Sequence, residues 1–121
     1  MPLSVPREFQ IWEYTVSHGQ LLLRSTKANI HKTQIDVLFK NVVFIQLPAR
    51  FQGLTISEIA SDDPRAAAVS LGEFSLHGKT IFLVEGDAWT GVVVAGAVYF
   101  LEDESTHNDQ SKLLPDFRNP G

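Results

Sequence analysis

The chain has 121 residues, of which 44% are hydrophobic and 20% charged, and its net charge is −4. A chain of this size and composition is expected to fold as one globular domain with one core, and it is too apolar for a disordered protein. It contains no cysteine, which excludes disulfides, thiolate zinc sites, iron–sulfur clusters and a cysteine nucleophile.

The charge changes sign along the chain. Residues 1–50 carry +3, residues 51–101 carry −4 and residues 102–121 carry −3. Segregated charge of this kind favours self-association, unless the fold interleaves the three segments and cancels the segregation. Net acidity without a dense Lys/Arg cluster argues against a nucleic-acid binder.

The N-terminal stretch MPLSVPREF is not followed by the run of about 7–15 apolar residues typical of a secretory signal, which indicates a cytoplasmic protein. The longest uncharged run, residues 88–101, has 14 residues. A transmembrane helix needs about 20 apolar residues. We therefore interpret this run as a buried strand and expect no membrane insertion.

The first structural signal is a hairpin, FQIWEYTV–SHGQ–LLLRST, with aromatic and β-branched residues on either side of a glycine turn. A two-residue loop at His18–Gly19 would pair Glu13 with Arg24 on an exposed face. The opposite, apolar face would then hold Trp12, Tyr14, Val16, Leu21 and Leu23.

The next apolar run, QIDVLFKNVVFIQLP, is long for a single strand. Either a bulge near Lys40 or a hairpin turn at Lys40–Asn41 is expected, and the two alternatives leave the side chain of Asp36 on opposite faces.

A short strand, LTISEIA, precedes SDDPRAAAVSLG, in which Asp63 is a suitable N-cap, Pro64 suits the first helical position and Gly72 suits a C-terminal stop. This pattern predicts one short helix near residues 64–71.

Three further strand segments lie between Glu73 and Glu104, separated at His77–Gly78 and at Gly86–Asp87. Gly91 and Gly96 within the last segment indicate a sharp bend or the close approach of another group. Residues 102–121 lose apolar periodicity. The predicted organisation is one β-rich domain over residues 1–101 and a polar C-terminal segment over residues 102–121 that is partly ordered or docked.

The predicted fold class is mainly β, with an antiparallel curved sheet that forms a partial barrel or a two-layer sandwich and carries the one short helix.

Few residues form a chemical motif. Ser17, His18 and Asp36 are the residue types of a catalytic triad, but no GxSxG elbow presents the serine, and we expect a turn with His18 in the left-handed conformation. The four histidines are scattered without HxH or HExxH spacing, so no metal site is expected.

The segment GDAWTG has neither the lysine nor the helix start of a phosphate-binding loop, and its Trp89 is expected to cap the core or to meet a partner. Arg24, Lys27, Lys32 and Lys40 could form a positive rim around the first hairpin.

These patterns predict a non-enzymatic cytoplasmic interaction module, without a cofactor, that binds a protein partner or a second copy through sheet edges and charged hairpin surfaces. The alternative is a curved sheet that binds a small ligand in a cavity lined by Trp12, Tyr14, Phe39, Phe44, Phe82, Trp89 and Tyr99. The candidate binding residues are Glu13, Arg24, Asp36, Asp87 and Trp89.

Overall fold

The computed structural model describes residues 3–26, 33–65 and 78–103. These residues form eight strands: β1 (Leu3–Thr15), β2 (Gln20–Ser25), β3 (Gln34–Lys40), β4 (Phe44–Gln46), β5 (Arg50–Ile59), β6 (Thr80–Glu85), β7 (Thr90–Ala95) and β8 (Ala97–Asp103). They pair in one antiparallel sheet in the order β4-β7-β6-β5-β1-β2-β3-β8. The predicted mainly β, antiparallel class is confirmed.

The sheet curls until its inner face encloses one core. Phe39 of β3 meets Phe82 of β6 edge to face, with 5.5 Å between ring centroids, although β5, β1 and β2 lie between their strands. In a flat sheet, four strand spacings would separate these rings by about 19 Å. The inner face contributes the buried residues Phe9, Leu21, Leu23, Ile35, Val37, Phe39, Val42, Phe51, Leu54, Ile56, Phe82, Val84, Val93 and Ala95.

The strand pair β3–β8 continues through a bend into the strand pair β4–β7, and this bend joins the two ends of the curled sheet. Three residues separate β3 from β4, and Gly96 alone separates β7 from β8. At the bend, the Gly96 N–H donates to the carbonyl of Lys40 and the Val43 N–H donates to the carbonyl of Val94, both at 2.8 Å. Asn41 takes a left-handed φ of 57°. Lys40–Asn41 is therefore a bulge-like bend and not a hairpin, and the curled sheet is a partial barrel.

Gly91 shows why glycine is required in β7. A Cβ atom at this position would overlap the backbone carbonyl oxygen of Gln46 in β4, and it would also press on Leu47 and Trp89. Gly91→Ala is therefore expected to lower the free energy of unfolding by about 1–3 kcal/mol, which urea denaturation would measure.

Gly96→Ala is the matched control for this change. The three atoms nearest to its Cβ would all belong to the side chain of Asn41, at 3.0–3.5 Å, and a side chain can move aside. The loss should be clearly smaller than for Gly91→Ala. Equal losses in the two variants would contradict the close approach of β4 to β7 at Gly91.

The first hairpin differs from its predicted register. Thr15 pairs with Gln20 and Tyr14 with Leu21, so the loop has four residues, and a bulge between Ile11 and Glu13 shifts the pairing again. The left-handed φ of 58° belongs to Gly19, and among the described residues other than glycine only Asn41 has a positive φ. The expected left-handed His18 was wrong because Gly19 meets the same need without steric cost.

The predicted apolar face of this hairpin was also wrong in part. Leu21 and Leu23 lie in the core, but Tyr14 and Val16 are 44% and 82% exposed. Trp12 packs on the outer face against Leu22 and Leu38. Because of the bulge, Trp12 lies on the opposite face of the sheet from Tyr14, whereas the prediction placed both on one face.

The described part of the predicted helix is a single 3₁₀ turn at Pro64–Arg65, and residues 66–72 lie outside the described residues. Asp63 accepts a hydrogen bond at 2.8 Å from the backbone N–H of Arg65, as an N-cap does. The hydrogen bonds from Arg65 lower the pKa of Asp63 to about 2. At the predicted domain boundary, β8 continues past residue 101 to Asp103, and residues 104–121 lie outside the described residues.

Candidate functional site

Among the described strands, β8 is hydrogen-bonded to a neighbour along one edge only. Before Gly96, β7 pairs with both β4 and β6, but after Gly96 the chain pairs with β3, from Lys40↔Ala97 to Gln34↔Asp103. No other strand among the described residues pairs with β8, which ends the strand order. The backbone N–H and C=O groups along this edge are a template for another strand.

A groove of about 660 Å³ lies between β8 and the facing ends of β5 and β6. We call it the β8 groove; its described lining residues are Ile56, Ser57, Glu58, Thr80, Phe82, Gly96, Ala97, Val98, Tyr99 and Phe100. Its volume is within the range of sites that hold a small ligand or a peptide side chain.

Directly paired residues of neighbouring strands lie on the same face of a sheet, and so does every second residue along one strand. By this rule, six of the lining residues lie on the inner face: Ile56, Glu58, Thr80, Phe82, Val98 and Phe100. Glu58 pairs with Phe82, Ile56 pairs with Val84, and Val98 packs against the core. Phe82 is buried, whereas Glu58 and Phe100 are exposed. The β8 groove is therefore the open end of the core, with an apolar floor and with the carboxylate of Glu58 and the hydroxyl of Thr80 on its β5–β6 side.

Tyr99 points to the outer face. It pairs with Leu38, whose side chain packs on Trp12, and the Lys40 ammonium lies 5.3 Å from the centre of the Tyr99 ring. The side chains of Tyr99 and Phe100, both more than 40% exposed, thus lie on opposite faces of the open strand.

Arg7 links β1 to the ends of β2 and β8 and to the start of β3. Its guanidinium donates to Ser25 Oγ at 3.0 Å, to Thr33 Oγ1 at 3.2 Å, and to the carbonyl oxygens of Thr26 and Thr33. Glu102 of β8 accepts a hydrogen bond from Thr33 and lies 4.0 Å from Arg7. Burial lowers the pKa of Arg7, while Glu102 acts in the opposite direction. These bonds hold the end of β8 against β1 and β3.

The predicted register, with Glu13 directly opposite Arg24 on an exposed face, was wrong. Arg24 is 1% exposed and makes a two-pronged ion pair with Asp36, Nε to Oδ1 at 2.7 Å and NH2 to Oδ2 at 3.2 Å. Its guanidinium carbon lies 4.8 Å from the centre of the Trp12 ring. Glu13 instead pairs with Leu22 in the strand register. Arg24 therefore cannot belong to a solvated positive rim; Lys27 and Lys32 lie outside the described residues.

Asp87 and Trp89 lie at the other end of the sheet, in the β6–β7 turn. The Asp87 N–H donates to the carbonyl of Gln52 at 2.9 Å, which fastens the turn to β5. Trp89 packs against the core and contacts Phe51 edge to face at 4.7 Å. Its indole N–H is buried without a hydrogen-bond partner among the described residues. Core capping is the observed role of Trp89.

The five candidate binding residues are thus divided. The structure brings Arg24 and Asp36 together in a buried pair, Asp87 and Trp89 together in a distant turn, and places Glu13 opposite Leu22 in the β1–β2 register. The seven aromatic residues of the predicted cavity are divided as well, since only Phe82 and Tyr99 line the β8 groove.

Ser17 and His18 do contact each other, with 3.0 Å between Ser17 Oγ and His18 Nδ1. Both residues are exposed at the tip of the first hairpin. Asp36, which a triad would require beside the histidine, is bound to Arg24 in the sheet. The contact is therefore a local turn interaction.

Within the described ranges, no group of three or more His, Cys, Asp or Glu residues is placed to hold a metal ion. Of the histidines only His18 is described. No helix of the described residues is long and apolar enough to span a bilayer.

Sequence reasoning missed Glu58, Thr80 and Phe100 as site residues. They come from three strands, and only the curl of the sheet places them around one opening. The sequence signal for this site was Gly96, because a glycine inside a strand pattern indicates a bend or a close approach. In the structure, β8 turns away from β6 at this residue.

No family model matches this chain, and neither the curated proteins nor the solved structures contain a match to it.

Proposed function

We propose that this chain binds an extended segment of a partner protein, which pairs as an added strand with β8 and places alternate side chains in the β8 groove. The observation that carries the proposal is the edge of β8 that no described strand pairs with, which runs beside an apolar groove of about 660 Å³. Strand addition of this kind takes affinity from backbone hydrogen bonds and specificity from alternate side chains.

The dimensions suit such a segment. β8 has seven residues, which extend over about 23 Å, and every second side chain of a paired strand would point to the inner face. The other end strand, β4, has three residues and offers less than half that length. β8 is therefore the better template.

The proposal keeps the sheet edge from the sequence-based hypothesis and gives up the charged hairpin, because Arg24 is buried with Asp36. We favour an extended segment over a second folded copy as the occupant. The edge of β8 that no described strand pairs with borders the groove, and a single strand fits there with less steric hindrance than a folded domain. A cytoplasmic location, expected from the sequence, is part of the proposal.

Phe100→Ala tests it. A phage-displayed library of random twelve-residue peptides, selected on the whole chain, should yield apolar extended sequences. Calorimetry with the tightest of them should show at least tenfold weaker binding to Phe100→Ala, because the ring forms a wall of the groove.

Tyr14→Ala is the matched control. Tyr14 is 44% exposed and Phe100 43%, but Tyr14 lies at the end of β1 next to the hairpin loop, outside the groove lining. Binding to this variant should be unchanged. Failure to select any peptide, or equal binding to Phe100→Ala and wild type, would overturn the proposal.

A second candidate is a small apolar molecule held in the same groove, which its volume and its floor of Ile56, Phe82 and Val98 favour. Such a ligand would also depend on Phe100. Unlike a strand, it would leave the backbone amides along the edge of β8 open to solvent exchange.

A further inference from the structure

The charge that the described lining residues bring to the β8 groove is negative. Among its described lining residues, Glu58 is the only ionisable acid or base apart from the phenol of Tyr99. The Glu58 carboxylate shares the inner face with Phe82, its pairing partner, and Thr80 follows on the same face beyond Phe82. An occupant thus meets an apolar floor and then a negative charge beside a hydroxyl.

The neighbouring charged groups do not change this sign. Glu102 is engaged by Thr33 and lies beside Arg7, so its charge is already matched. The Lys40 ammonium lies over Tyr99, on the outer face of β8. Lys79 precedes Thr80 in the chain but is not one of the residues that line the groove.

On the basis of the proposed function, we infer that the bound segment carries a lysine or arginine whose aliphatic stem packs on Ile56 and Phe82 and whose charge meets Glu58. Long basic side chains bury their methylene groups on apolar surface while the charged end stays near water. The phenyl rings of Phe82 and Phe100 also attract a cation placed over their faces.

A neutral apolar side chain would fill the floor equally well but would leave the carboxylate without a partner. An acidic side chain would be repelled by Glu58. Opposite charge across an interface therefore selects the partner as well as binding it. The partner is a protein with an exposed segment that alternates apolar and basic residues.

The test uses the tightest peptide from the library selection. The enriched peptides should share a Lys or Arg at a fixed distance from an apolar residue. Changing that residue to Gln should weaken binding to the wild-type chain about fivefold, the effect of one partly exposed ion pair. Glu58→Gln should weaken binding of the original peptide by the same factor.

The two changes should not add, because they remove the same contact. Glu8→Gln is the control, since Glu8 is an exposed carboxylate on β1 outside the groove lining, and it should bind the peptide within twofold of wild type. Peptides that bind through Phe100 but without a basic residue, or without loss in Glu58→Gln, would overturn this inference and leave the proposed function intact. If no peptide is selected, the proposed function fails and the inference fails with it.

Discussion

Replacing Arg24 with methionine is expected to lower the free energy of unfolding by about 3–5 kcal/mol. The substitution leaves the carboxylate of Asp36, which is 2% exposed, without the guanidinium that binds both of its oxygens. A buried carboxylate without a partner is costly because it has lost its hydration. Urea denaturation followed by circular dichroism would measure the loss.

The double variant Arg24→Met with Asp36→Leu separates the cost of an unpaired charge from the worth of the pair. Removing both charges should restore much of the stability, because an apolar pair of similar size avoids the desolvation of both ions. As an exposed comparison, Arg65→Met breaks the surface pair with Asp63 and should leave stability close to wild type. An Arg24→Met variant as stable as Arg65→Met would show that Arg24 and Asp36 are solvated.

Phe39→Ala is the second large change, with an expected loss of about 3–5 kcal/mol in the free energy of unfolding. Phe39 is completely buried, and its ring contacts Phe82 from the far side of the curl. The alanine would leave a cavity where β3 meets β6. Denaturation of this variant, of Phe82→Ala and of the double variant would form a thermodynamic cycle.

The cycle should give a coupling energy of about 0.5–1.5 kcal/mol between the two rings. The control cycle pairs Phe39 with Ile59, which is buried in a separate cluster with Ile81, Leu83, Val92 and Val94, and should be additive. Additive losses for Phe39 and Phe82 would mean that the two strands do not meet and that the sheet is not curled.

The sequence was sufficient to predict a chain rich in strands and either a bend or a close approach at Gly96, although the last predicted segment is two strands, β7 and β8. Alternating apolar residues and glycine turns are local signals, and β3, β6, β7 and β8 all fall where those signals are strong. A bulge near Lys40 was one of the two alternatives that the sequence predicted, because the run from Gln34 to Gln46 is too long for an ordinary strand.

Strand β1 was harder to predict. It begins at Leu3 and contains Pro6, whereas proline normally argues against a strand. The pairing with β5 shifts between Val5 and Glu8, so Pro6 lies at a bulge, where it does not interrupt the ladder. A second bulge beside Trp12 moved the hairpin register, and this bulge has no local sequence signal.

The burial of Arg24 and the β8 groove depend on contacts between distant parts of the chain. Arg24 finds Asp36 through the β2–β3 register, and the groove needs β5, β6 and β8 in one place. A hairpin considered alone offers Arg24 only Glu13 as a partner. Pairing rules within one hairpin therefore gave the wrong register and left Arg24 exposed, whereas it is buried.

The most direct test of strand addition to β8 is amide hydrogen exchange, measured by NMR on the whole chain with and without the selected library peptide. We expect amides of residues 97–103 that face away from β3 to exchange fast in the free chain and to gain protection when the peptide binds. Amides in the β3–β8 ladder, already protected, should change little. Binding of the peptide without new protection along β8 would contradict strand addition and would favour a ligand that occupies the groove by side-chain contacts alone.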